Sequence, residues 1–134
     1  MRFQRTELPL KIDGEQAARD YFASCFRDSD PRTERLFVAH VDEQARSLHF
    51  SHHDGSRQST DFPLRTIITD AARHGSAGIV LAHNHPSGDA RPSEADCLAT
   101  RRLASAAEAL DCTILDHLIF AGNDCVSLRR LGYL

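Results

Sequence analysis

The sequence predicts an α/β domain in which helices layer against a mixed β-sheet. Three observations carry that prediction. Strand-length apolar runs alternate with amphipathic helical patterns from end to end. The run Gly78 to Ala82 is apolar throughout, as a strand covered on both faces must be. Two neighbouring strand-like segments near residues 34–53 are placed to form a hairpin, so the sheet cannot be purely parallel.

Taken in order, residues 1–13 lack clear periodicity and read as an N-terminal extension. Gly14 to Phe26 then sets Ala17, Ala18, Tyr21, Phe22 and Cys25 at helical spacing before an Asp-rich stop, predicting a first helix. Glu34 to Val41 contains Leu36-Phe37-Val38-Ala39 and reads as a buried strand, with Ser47 to His53 as its weaker partner. The polar stretch Asp54 to Asp61, carrying Gly55, predicts a loop. After Pro63, the residues Leu64, Ile67, Ile68, Ala71 and Ala72 recur at helical intervals until Gly75. Gly78 to Ala82 is the central strand, and its end delivers His83. Ser93 to Asp111 places Ala95, Leu98, Ala99, Leu103, Ala106, Ala107 and Leu110 on one face, predicting the longest helix. Thr113 to Ala121 and Val126 to Leu128 read as strands, followed by a short tail.

A length of 134 residues with 41% hydrophobic content suits one domain with one core, spanning 1–134. The net charge of −3 lacks the strong positive balance that drives nonspecific nucleic-acid binding, so direct contact with nucleic acid is not favoured. Lys11 is the only lysine among sixteen basic residues, which reads as coding bias and decides nothing about function. Cys25, Cys97, Cys112 and Cys125 are scattered with no CxxC pair, so reduced thiols are expected. No segment approaches the roughly 18 apolar residues of a membrane span, and a soluble, cytoplasmic protein is expected. Composition leaves open whether the chain forms homo-oligomers.

The chemistry concentrates in residues 83–96, HNHPSGDARPSEAD. Alternation along a strand points the imidazoles of His83 and His85 to the same side, a start for a bidentate metal clamp. Ser93-x-x-Asp96 also looks like a helix N-terminus, with Ser93 as cap and Asp96 at the third helical position. Pro86-Ser87-Gly88 and Pro92 fit an ordinary turn and a helix entrance. Together, two imidazoles and one carboxylate supply three protein ligands and leave a fourth position for water, the pattern of a catalytic rather than a structural zinc. Such a site still needs a carboxylate to move the water's proton. Glu34 is the candidate, although within the polar run Asp30 to Glu34 it also reads as a solvated residue.

His83-x-His85-Pro86, followed after six residues by Ser93-x-x-Asp96, resembles the JAMM (MPN-type) metalloprotease signature with every defining position filled. More narrowly, the chain resembles the bacterial RadC family. The likeness rests on AHNHPSG at 82–88, RPSEAD at 91–96, Thr100, Leu115-Asp116-His117, Ser127, Gly132, and Glu34 with Asp42 eight residues later. It covers roughly residues 30–134. The resemblance implies a layered α/β/α JAMM (MPN-like, cytidine-deaminase-like) fold and a zinc ion, Zn2+, held by His83, His85 and Asp96. Glu34 would then be the acid/base, and Ser93 would hydrogen-bond the oxyanion of a tetrahedral intermediate. It also implies a peptide or protein substrate and an association with DNA repair. Two departures stand out. Gly55 to Pro63 carries Gly-Ser where the family usually shows Gly-Thr and is slightly short, and no helix-hairpin-helix region is expected ahead of the domain.

Other readings fare worse. HNH nucleases draw those three residues from separated places, not from one tripeptide, and a zinc deaminase needs H-x-E with a later P-C-x-x-C that is absent here. The alternative from another class is a non-catalytic metal-binding interaction module in DNA repair or recombination. Asp116 and His117 lie inside the apolar run Ile114 to Phe120 and require hydrogen-bond partners there, as a structural pair or as support for a ligand. His40, His49, His52, His53 and His74 show no ligand spacing and read as ordinary residues.

Overall fold

The computed structural model describes residues 10–54 and 62–134. The expected loop over 54–61 falls, apart from Asp54, outside them, as do most of the Gly55 to Pro63 segment and the extension before residue 10. The elements run α1 (Glu15–Arg27), β1 (Arg35–Val41), β2 (Ser47–Asp54), α2 (Leu64–His74), β3 (Gly78–Asn84), α3 (Glu94–Glu108), β4 (Thr113–Ala121) and β5 (Asp124–Ser127).

The five strands form one mixed sheet in the order β2-β1-β3-β4-β5. β3 and β4 are parallel, with α3 as the crossover between them, and every other neighbouring pair is antiparallel. Strand alternation sorts the side chains into two apolar layers. On one face Phe37, Ala39, Val41, Val80, Ala82 and Leu118 pack with Ala18 and Phe22 of α1. On the other, Leu36, Val38, Ile79, Leu81 and Ile114 pack with Ile67 and Ala71 of α2 and Leu103 and Ala107 of α3. Both cores need β3, and all seven of its residues are buried. The result is the expected α/β/α sandwich with a mixed sheet.

Three boundaries differ from the sequence pattern. β3 runs through Asn84, so His83 belongs to the strand itself. α3 ends at Glu108 because the chain turns there and Asp111 adopts a left-handed φ of 54°. The last strand is Asp124–Ser127, with Leu128 just beyond it and fully buried.

One irregularity positions the chemistry. The β3–β4 ladder pairs Ile79 with Ile114 and then Val80 with Asp116, skipping Leu115. Such a slip moves every later side chain to the opposite face. It sets His117 opposite Leu81, on the α3 side of the sheet. Leu115 uses the space that Gly78 leaves open, where a Cβ would stand 2.7 Å from Leu115 Cδ1. Arg129 caps the bulge, its guanidinium donating to the carbonyls of Leu115 and Ile114.

Candidate metal centre

β3 and α3 bring the three predicted ligands together. His83 projects from β3 toward α3, and His85 follows where the chain leaves the sheet, its N–H still donating to Phe120 O at 2.8 Å. A turn closed by Gly88 N–H to His85 O, with Pro86 second and Gly88 fourth, directs the chain to α3. Ser93 and Asp96 form a reciprocal capping box: Asp96 N–H donates to Ser93 Oγ at 3.0 Å, and Ser93 N–H donates to Asp96 Oδ2 at 2.9 Å. The cap and ligand readings of Asp96 are therefore one arrangement, because the box aims the carboxylate at the two imidazoles.

His83 Nε2 lies 3.0 Å from His85 Nε2 and 3.4 Å from Asp96 Oδ1, and His85 Nε2 lies 3.1 Å from Asp96 Oδ2. Ligands 2.0–2.2 Å from a tetrahedral ion stand about 3.3–3.6 Å apart, so the set fits a small divalent cation with little movement. His85 Nδ1 is 2.8 Å from Asp89 O, a carbonyl that can only accept, so Nδ1 carries a hydrogen, and in the neutral ring the lone pair is on Nε2, facing the cluster. Among the described residues, this is the one group of three His, Cys, Asp or Glu side chains whose ligand atoms converge.

The electrostatics fit the same picture. The hydrogen bond with Asp96 leads in raising the His85 pKa, opposed by burial and reinforced by Asp89 O and by the charges of Asp96 and Glu34. Burial would raise the Asp96 pKa, but contacts with His83 and His85, the His83 charge and Ser93 N–H outweigh it and hold the carboxyl well below the usual range. Burial, foremost, drives the His117 imidazole well below its usual range, because a charged ring is poorly solvated there.

Glu34 lies immediately before β1. Leu36 pairs with His83, and Glu34 precedes Leu36 by two residues, the step that returns to one face where a strand continues. Its backbone is held on both sides by one side chain: Asn84 Oδ1 accepts from Arg35 N–H at 2.7 Å, and Asn84 Nδ2 donates to Thr33 O at 3.0 Å. The residue between the two histidines thus fastens the segment that carries Glu34. Ser93 is exposed beside Asp96, and its hydroxyl accepts in the cap, which leaves the hydroxyl hydrogen available.

Asp116 and His117 separate in role. Asp116 is a structural tie, accepting from His117 N–H, Ser127 Oγ and Arg129 N–H. His117 reaches the centre, its Nε2 lying 2.7 Å from His83 Nδ1 and its Nδ1 lying 2.7 Å from Thr100 Oγ1. Sequence reasoning gave no task to Asn84 or Thr100. Asn84 lies 49 residues from the Arg35 it holds, a contact that local pattern does not encode.

A family profile for the RadC-like JAB domain matches residues 12–133. The chain belongs to this family. Two relatives, each named UPF0758 protein, are similar over most of this RadC-like domain. The one from Chloroflexus aggregans is 35% identical over 125 residues, covering 92% of this chain and 53% of the relative. The one from Pseudomonas fluorescens is 36% identical over 124 residues, covering 92% and 54%. A UPF0758 protein of Bordetella petrii is 47% identical over 70 residues, 52% of this chain and 31% of that protein. The chain therefore spans about half the length of the first two. Among the described residues, no helix is long and apolar enough to cross a membrane.

Proposed function

We propose that this RadC-like JAB domain is a zinc-dependent hydrolase acting on peptide or isopeptide bonds of a protein substrate. The observation that carries the reading is the convergence of His83 Nε2, His85 Nε2 and Asp96 on one point, with the backbone around Glu34 tied to the same tripeptide through Asn84. Zinc, when bound, supplies a Lewis acid that lets water ionise near neutral pH. Glu34 takes the proton from the attacking water and returns it to the leaving amine. Ser93 donates its free hydroxyl hydrogen to the developing oxyanion while its oxygen stays engaged in the cap.

The test pairs metal analysis with a peptide-library cleavage assay. Wild type should hold about one zinc per chain and cleave a subset of peptides. Glu34→Gln should keep the metal and lose about 10²–10⁴-fold in rate, the usual weight of a general acid–base. Iron in place of zinc would overturn the metal assignment. Cleavage unchanged in Glu34→Gln, or none by the zinc-loaded wild type, would overturn the hydrolase in favour of a non-catalytic metal-binding module.

A further inference from the structure

We propose that the buried pair Thr100 and His117 is a positioning device that sets which ring nitrogen of His83 carries the proton, and thereby keeps His83 Nε2 open to a metal. The inference rests on the metal-centre reading above.

The Thr100 hydroxyl has one hydrogen and two neighbours able to accept it. Asp96 O lies at 2.8 Å and His117 Nδ1 at 2.7 Å. Asp96 O accepts only, and it lies one helical turn before Thr100, where helix geometry brings a threonine hydroxyl into reach of the carbonyl four residues back. With the hydrogen committed to Asp96 O, Thr100 Oγ1 can only accept from His117, so His117 carries its proton on Nδ1. At mildly alkaline pH, where an imidazole holds a single N–H, His117 then presents a lone pair at Nε2, which faces His83 Nδ1 at 2.7 Å. His83 must donate from Nδ1, and its Nε2 is left bare toward His85 and Asp96.

If the Thr100 hydroxyl turned to His117 instead, each hydrogen along the chain would reverse. His117 would donate from Nε2, His83 would accept at Nδ1, and a neutral His83 would carry its hydrogen on Nε2. That hydrogen would point at His85 Nε2, 3.0 Å away, and block ligation. Thr100 and His117 are both buried, so water does not compete for these bonds. The skipped Leu115 makes the pairing possible, since without that slip Asp116 would occupy the position opposite Leu81. One helix thus supplies a ligand through Asp96 and, a turn later, the control over a ligand on another element.

Two measurements test this. In the metal-free wild type at mildly alkaline pH, nitrogen NMR of the histidine side chains should show the proton on Nδ1 of both His83 and His117. In zinc titrations against a chromophoric chelator, Thr100→Val, which keeps the shape and removes the hydroxyl, should bind zinc about 10–100-fold more weakly. Thr100→Ser should return close to wild type. If Thr100→Val does not fold, His117→Gln replaces it: an amide accepting from His83 and donating to Thr100 should retain zinc affinity, whereas His117→Leu should lose it. A proton on His83 Nε2 in the metal-free protein, or wild-type zinc affinity in a folded Thr100→Val, overturns the proposal. Protons on Nδ1 in a wild type that binds no zinc would uphold the positioning device and overturn the metal reading instead.

Discussion

Among the described residues, the α2/α3 side of the sheet carries two clusters of histidine with aspartate, one at each end of β3, and in only one of them do the ligand atoms converge as a metal ion would require. At the first, His83, His85 and Asp96 turn ligand atoms toward one point. At the other, His40 and His49 face each other across β1 and β2, His49 Nε2 lies 3.4 Å from Asp70, and the His49 and His74 rings stack 4.1 Å apart at 12°. His40 Nδ1 meets Ser76 Oγ at 2.9 Å, while its Nε2 is buried without a partner. Stacked parallel rings direct their in-plane lone pairs side by side, so they do not converge on one ion. The residue types nearly match, and what differs is where each nitrogen's second partner sits. Asp89 O and His117 draw the far nitrogens of His85 and His83 outward and free the near ones.

The largest contrast should come from Asp96→Ala. It should lose more zinc affinity than the ~10–100-fold that an outer partner is worth, because a ligand disappears together with the capping box. His49→Ala should leave zinc content unchanged in the same chelator titration. Equal loss in the two variants would erase the distinction between the clusters.

A pH series separates the ends next. Burial, with the His49 and His74 charges adding and Asp70 opposing, pushes the His40 imidazole from 6.5 down to about 4. Its folded pKa lies below its unfolded value, so between these pH values the unfolded chain holds the extra proton. Stability is intact above about pH 6.5 and falls as pH drops toward 4, by at most about 1.4 kcal/mol per unit. Denaturant unfolding of His40→Gln beside wild type should show the mutant with the flatter profile, and parallel profiles would remove His40 as the cause. The smallest effect belongs to Asp70→Asn. It breaks a partly exposed pair with His49 and should shift stability by under about 1 kcal/mol with no change in bound zinc, read by thermal melting and metal analysis.

Much of the domain was legible in the sequence because periodicity is local. The helical stripes of residues 14–26, 64–75 and 93–111 and the all-apolar run 78–82 each declare an element without knowledge of its neighbours. The grouping of His83, His85 and Asp96 was legible too, because one strand end, one turn and one helix cap bring them together within fourteen residues. The slip at Leu115 was not, since the apolar run Ile114 to Phe120 looks the same in either register. With it went the face on which His117 lies and its bond to a histidine 34 positions earlier. His40 and His49 likewise meet only through strand pairing, which no spacing along the chain expresses.

The two bonds of Asn84 have a mechanical consequence. Because one amide fastens Thr33 and Arg35 to the tripeptide that bears both histidines, a displacement of that tripeptide carries Glu34 with it. The spacing between the histidines and the acidic residue is thus buffered against breathing of the hairpin. Transplanting only His83-Asn84-His85 and the start of α3 into another scaffold would transfer the three converging side chains and leave Glu34 behind. The smallest portable unit includes the three residues 33–35 as well.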